Sequence, residues 1–379
     1  MNPATSPAII RAANPAITRQ PAGQSTRRSR MIMNDHHQSH QRCGGSPVED
    51  AEHTGLITTR LTRLWGIDRP IIGAPMAGRS GGRLAAAVSA AGGLGMFGVG
   101  DATPPNWILD QAAIAAEAGK PYGIGLMVWA LEEYPEQFEA VLEAAPAVVS
   151  LGFGDPAPYV DRAHAAGISV VAPINDMTQL RQALDAGVDA ICVQGTDAGG
   201  HTGHLGTMPL MQMVLSYMAV HAPGIPAAVA GGIGNGRGLA AVLAAGADAA
   251  WVGTALLASP ESEGSDAHRA AIVKANSADT LLTDIYDRAE QKAWNTKLWP
   301  TRTLRNGFTD AFAEDAELGH VTDAELVQAR GEDGDFAIDL KVHAGQGVSM
   351  VLPESPAGEV VRVMSVEAHR LFQRMNAWG

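Results

Sequence analysis

Between Val193 and His204 the chain reads Val-Gln-Gly-Thr-Asp-Ala-Gly-Gly-His-Thr-Gly-His, combining an amide, an imidazole and closely spaced glycines. It follows a run of small and β-branched residues, Asp189 to Cys192, that reads as the end of a buried strand. The loops at the C-terminal ends of barrel strands are where α/β barrels keep their chemistry. Gly199 and Gly200 let the backbone approach a flat or phosphorylated ligand, and Gln194 offers both a donor and an acceptor. His201 brings a base of the type that changes charge near neutrality. The same residues would also make a flexible turn with two incidental histidines, so the decision rests on the rest of the chain.

Two more glycine-rich turns follow, Ala230-Gly231-Gly232-Ile233-Gly234-Asn235-Gly236 and Trp251-Val252-Gly253-Thr254. Backbone N–H groups in such loops, with the N-terminus of the next helix, can hold a phosphate without Lys or Arg. Gly231, Gly232, Trp251, Val252, Gly253 and Thr254 are therefore the candidate phosphate turns. Neither turn is followed by a Walker lysine, and no Gly-x-Gly-x-x-Gly with a ribose-binding acid follows the first strand. A mononucleotide is expected rather than a dinucleotide. His201 and His204 are three apart but on a glycine turn, so no metal site is expected.

The elements that must position these turns repeat in a βα rhythm. Apolar runs begin near Pro70, Gly95, Tyr122, Ala147, Ile168, Asp189, Ile225 and Asp248, eight strands in all. Amphipathic segments separate them: Gly82 to Ala91, Trp107 to Ala118, Pro135 to Ala144, Tyr159 to Ala166, Thr178 to Ala186, Met208 to His221 and Gly236 to Ala245. Several end in glycine just before the next strand, as at Gly119, Gly167, Gly187 and Gly246, where a left-handed cap suits a short turn. Strand starts fall 21 to 27 residues apart except at the sixth-to-seventh step, so the spacing predicts a TIM (β/α)8 barrel over a doubly wound sheet. Beyond Ala258 the rhythm breaks into a polar, Trp-containing region, Pro260 to about Gly347, with one helical piece at Ala267 to Ala275. A closing helix, Pro356 to Met375, is expected on the barrel's outside. The barrel domain thus runs over 56–379, with 260–379 as its inserted and C-terminal extension.

The hydrophobic content of 46% is ample for a large core. Net charge is −13, yet residues 1–47 hold six arginines against Asp35, giving +5 there and leaving −18 on the remainder. Such a surface repels nucleic acid. No run of 18 apolar residues is present, so no membrane span is expected. Cys43 and Cys192 are the only cysteines, which fits a reducing compartment and a cytoplasmic location. Residues 1–55, rich in Pro, Ser, Arg, Gln and His, read as a disordered tail. Its acid-poor, Arg-rich character also fits a transit peptide, and Met31 or Met33 could be the true start, which is favoured over export. The oligomeric state is not legible.

With these pieces placed, the chain resembles the nitronate monooxygenase family, formerly 2-nitropropane dioxygenases, which are FMN-dependent TIM barrels. The resemblance is carried by Ala74-Pro75-Met76, Ala90 to Gly95, Gln194 to His201, Ala230-Gly231-Gly232-Ile233 and Gly253-Thr254, and later by Leu304-Arg305-Asn306 and Ala344-Gly345-Gln346. It implies that Ala74, Pro75 and Met76 line the isoalloxazine, that Gln194 bonds it, that Gly199, Gly232, Gly253 and Thr254 hold the ribityl phosphate side, and that His201 is catalytic. The family's usual flavin-contacting Asn on the third strand is here Gly125. On that alignment, Gly125→Asn is expected to be tolerated and to tighten flavin binding by about 1 kcal/mol, the net worth of one hydrogen bond.

The implied reaction is oxidation of alkyl nitronates by dioxygen to a carbonyl compound and nitrite, with the flavin carrying the redox chemistry. His201 would take the α-proton of a neutral nitroalkane. An NAD(P)H-dependent flavin reductase of the same fold, of the enoyl-acyl-carrier-protein or quinone reductase kind, and a flavin-binding protein without turnover are the alternatives.

Overall fold

The computed structural model describes residues 56–330 and 341–377, so the expected tail over 1–55 lies outside the described residues. The expected strands form within a few residues of their sequence positions: β1 (Ile71–Gly73), β2 (Gly95–Gly98), β3 (Tyr122–Met127), β4 (Val148–Gly152), β5 (Ser169–Ile174) and β6 (Ala190–Gln194). A two-residue strand β7 (Gly200–His201) follows, then β8 (Ala227–Ala230) and β9 (Ala249–Val252). All but β7 join one parallel sheet in the order β1-β9-β8-β6-β5-β4-β3-β2. A parallel bridge between Ile72 and Leu94 joins its two ends, with Gly73 N–H donating to Leu94 O at 2.9 Å, so the sheet closes into a barrel. The helices Gly82–Ala90, Pro105–Ala116, Glu136–Ala144, Ala157–Ala165, Met177–Asp185, Thr207–His221 and Gly236–Ala244 alternate with the strands. This is the TIM barrel that the strand spacing predicts.

Strand alternation sorts the core into two layers. Along β9, Ala249 and Trp251 face the barrel interior with Ile72, Leu94, Met96, Val148, Val171 and Cys192, whereas Ala250 and Val252 join the layer beneath the helices. The Trp251 indole shares that interior cluster with small residues, Ala228 and Ala230 on the neighbouring β8 and Ala190 on β6 beyond it. Each fully buried Leu or Ile contributes about 1.5–3 kcal/mol. A short helix absent from the sequence reading, Arg60–Trp65, sends Leu61 and Trp65 into that interior cluster. It is held by a Thr59–Thr62 capping box, by left-handed Gly66, and by Arg60, whose Nη2 donates to buried Asp248 Oδ2 at 2.7 Å.

The region beyond Ala258 departs from expectation. The helical piece forms as Asp266–Lys274, but the remainder is not simply polar loop. β10 (Thr280–Thr283) and β11 (Thr301–Leu304) pair antiparallel, and β11 pairs in turn with β7, matching Thr301 to His201 and Arg302 to Gly200. Helices Ile285–Ala289, Gly307–Glu317 and Asp323–Arg330 build a separate small core around Tyr286, Phe308 and Leu326. The reason is that β11 buries Thr301, Arg302 and Thr303, polar residues that give no apolar alternation to read. The closing helix Ala357–Asn376 packs Val360, Val361, Met364 and Ala368 into the layer outside the strands. No helix among the described residues is long and apolar enough to cross a membrane.

Candidate active site

A cavity of about 330 Å³ opens at the C-terminal ends of the strands. Its wall includes Ala74, Pro75, Met76, Gly125, Gln194, Gly199, Gly200, His201, Gly231, Gly232, Trp251, Gly253 and Thr254. Of the candidate residues only Val252 stays out of it: its side chain is buried under the helices because period-two alternation turns it away from Trp251, while its carbonyl accepts from Ala74 N–H at 2.9 Å. His204 is likewise elsewhere, exposed, with Nε2 bonded to Lys297 O at 2.9 Å.

His201 is fixed from several sides. Its backbone is held by β11 and by Gln194 Nε2, which donates to His201 O at 3.2 Å. The Gln194 amide is itself oriented by Asn175, buried at the end of β5, whose Nδ2 donates to Gln194 Oε1 at 3.1 Å and to Gln194 O at 2.9 Å. The His201 ring lies on Trp294, centroids 3.5 Å apart at 10°, and its Nε2 is 3.1 Å from both carboxylate oxygens of Asp287. Asp287 is 2% exposed, so the pair is sheltered from water. Phe153, in a left-handed conformation at φ 62°, and Trp294 meet edge to face at 5.0 Å beside the ring. Asn175, Asp287 and Trp294 were missed by sequence reasoning. Asn175 was findable as a polar residue ending a strand, whereas Asp287 lies 86 residues from His201 with no spacing to connect them.

Two other histidines stand close by. His343, whose ring centroid is 6.1 Å from that of His201, has Nδ1 tied to Thr301 Oγ1 at 3.0 Å, and burial, then the nearby Lys341 charge, holds its pKa well below the ordinary value. His268, buried behind the wall, is pushed down to about 4 by burial first and then by the charges of Arg79 and Arg269. Neutral at ordinary pH, it accepts from Arg79 Nε at 2.9 Å and aligns a guanidinium on the cavity wall. Lys292 and Lys341 on that wall are paired with Asp101 and Glu290, at 2.6 Å and 3.0 Å. Arg79, a residue of the cavity wall whose Nη1 donates to Gly78 O at 2.6 Å, makes no carboxylate contact within 4.0 Å among the described residues, and the Glu263 charge acts on it from farther away.

The glycines act in different ways. Gly231 and Gly232 have φ of 111° and 70°, conformations that favour glycine. Gly199 instead permits chain crossing, since a Cβ there would lie 2.5 Å from Gly345 N. The helix Gly236–Ala244 does not offer its N-terminus to a ligand as expected, because Asn235 Oδ1 takes the Arg237 and Gly238 amides and Glu367 Oε2 takes that of Gly236. The amides of Gly232, Ile233, Gly253 and Thr254 remain, with no acceptor among the described residues. An apolar wall from Ala74 to Met76, an amide at Gln194 and four free N–H groups suit a flavin with a phosphate tail. No cluster among the described residues could hold a metal ion.

Gly125 overturns its expectation. A Cβ there would sit 2.4 Å from Pro75 Cβ and 2.5 Å from Pro75 Cγ, so the glycine makes room for the wall rather than marking a lost contact.

The sequence profile named nitronate monooxygenase matches residues 58–138 and 131–367. The chain belongs to the nitronate monooxygenase family. It is 31% identical to the nitronate monooxygenase of Pseudomonas aeruginosa over 363 residues, covering 82% of this chain and 99% of that one. It is also 31% identical to a hydroxy-methyl-oxo-octahydroindene-carboxyl-CoA dehydrogenase of Mycobacterium tuberculosis, over 64% of this chain and 67% of that protein. The solved nitroalkane oxidase of Streptomyces ansochromogenes superposes with a TM-score of 0.69 at 30% identity, covering 84% of this chain and all of that one. The protein is thus an oxidoreductase of a flavin-dependent family that acts on small molecules with dioxygen.

Proposed function

We propose that the protein binds FMN and oxidises alkyl nitronates with dioxygen, giving a carbonyl compound and nitrite, and that it also accepts neutral nitroalkanes. The observation that carries this reading is His201, paired with buried Asp287 and facing the same cavity as four free backbone amides. One cluster of amides suits one terminal phosphate, which favours FMN over FAD. Bound flavin supplies the electron acceptor that reacts with dioxygen. Ala74, Pro75 and Met76 give its ring an apolar seat, Gln194 keeps one N–H and one lone pair for its polar edge, and Trp251 closes the floor. Gly199, Gly200 and Gly231 shape the loops around the amides of Gly232, Ile233, Gly253 and Thr254. Arg79 draws an anionic nitronate towards the site, and His201 takes the α-proton when the substrate arrives as the neutral nitroalkane.

A second reading, an NAD(P)H-dependent flavin reductase of the same fold, is kept beside it because the chain is as similar, at 31% identity, to an oxidoreductase that is not named a nitronate monooxygenase, the mycobacterial dehydrogenase. Both are tested on the purified yellow protein by identifying the acid-released cofactor and by steady-state turnover in air. The expected results are FMN, and nitrite from alkyl nitronates with little NADH or NADPH oxidation. Released FAD would count against the assignment, and fast nucleotide oxidation without nitrite would move it to the second reading.

A further inference from the structure

The His201 ring has two nitrogens, and only one can serve as the base. Nε2 lies 3.1 Å from each Asp287 oxygen, and an ionised carboxylate can only accept hydrogen bonds, so the proton between them belongs to Nε2. Nδ1 has no partner among the described residues. A ring flip that would take Nε2 away from Asp287 is opposed by the 3.5 Å stack on Trp294, and the main chain is held by the Gln194 bond and by pairing with Thr301. Asp287 is seated in the helix Ile285–Ala289 beside the small core of Tyr286, Phe308 and Leu326.

We propose that Asp287 is a positioning residue that fixes His201 with its proton on Nε2, so that Nδ1 is the atom that accepts the substrate's α-proton. In that step the α-C–H bond breaks, its electron pair becomes the C=N π bond of the nitronate, the N=O π pair moves onto oxygen as the anion's charge, and the proton lands on Nδ1. The imidazolium then carries hydrogens on both nitrogens and Asp287 stays a carboxylate facing it, in the manner of a histidine oriented by a buried acid. No electron leaves the substrate in this step, so it is separable from the oxidation that follows. The role of Nδ1 rests on the nitroalkane reading, whereas the placement of the proton on Nε2 does not.

The test uses flavin-loaded protein with 15N-labelled histidine, the His201 signals being those missing from His201→Asn. Neutral His201 should show a protonated Nε2 and a bare Nδ1. Asp287→Asn and Asp287→Ala should lower turnover of neutral nitroalkanes by roughly 10²-fold or more, with a much smaller loss on preformed nitronates and flavin content retained. A protonated Nδ1 in the unmodified protein would overturn the proposal, as would equal losses on both substrates or no loss on either. Should the Ala variant fail to fold, the Asn variant and the tautomer measurement still decide. Unmodified protein that turns over neither substrate would sink the functional reading, while the NMR result would still judge the Asp287 placement.

Discussion

His201→Asn is expected to cut turnover of neutral nitroalkanes by roughly 10²- to 10⁴-fold, the usual contribution of a positioned general base, and to cost much less on nitronates prepared beforehand. Asparagine keeps a polar group on β7 at the reach of Nδ1 but not of Nε2, and it cannot titrate. Flavin content should persist, because the free amides of Gly232, Ile233, Gly253 and Thr254 and the wall from Ala74 to Met76 are untouched. The substitution also removes the ring nitrogen that faces buried Asp287, and an unmet buried acceptor costs about 1–3 kcal/mol, so a lower melting temperature is part of the expected result. Steady-state rates on one nitroalkane, with and without prior conversion to the nitronate, check the contrast. Equal losses on the two forms would assign His201 to binding, and no loss on either would remove the chemistry from it.

Gly125→Asn should release flavin and weaken the fold. The new Cβ would have to displace the Pro75 ring from 2.4 Å, and that ring has no flexible end to swing away. Overpacking of this kind costs roughly 1–3 kcal/mol, and relief by shifting Pro75 pushes the wall into the space the flavin would occupy. Gly125→Ala places the same first carbon and should show a milder version. Flavin absorbance per protein and melting temperature measure both effects. Full flavin occupancy at an unchanged melting temperature would restore the view that the position lacks only an amide.

What was legible in the chain is what local chemistry decides. Strands β1 to β6 announce themselves through short apolar runs, and the αβ turns through Gly119, Gly167, Gly187 and Gly246, each at positive φ with open space where a Cβ would stand. Polar residues ending β6 could be placed in the cavity because eight parallel strands present the same end together. Illegible features depend on segments meeting across the chain. The Asp287–His201 pair spans 86 residues, β11 with its buried polar side chains pairs its backbone with β7 about a hundred positions earlier, and the clash at Gly125 comes from a proline 50 positions earlier. A glycine in the sequence announces freedom without naming the neighbour that requires it. Asn235 illustrates a local signal read too generously: it caps the helix whose N-terminus was assigned to a phosphate.

The central claim is that a nitronate delivers its electrons to a flavin held in this cavity. Anaerobic mixing of the flavin-loaded protein with excess alkyl nitronate in a stopped-flow spectrophotometer follows that event alone, before dioxygen takes part. Oxidised-flavin absorbance should be lost quickly with the nitronate and return when air is admitted, with nitrite and the carbonyl compound in solution. Absorbance that stays unchanged with every nitronate while NADH or NADPH bleaches it would contradict the claim.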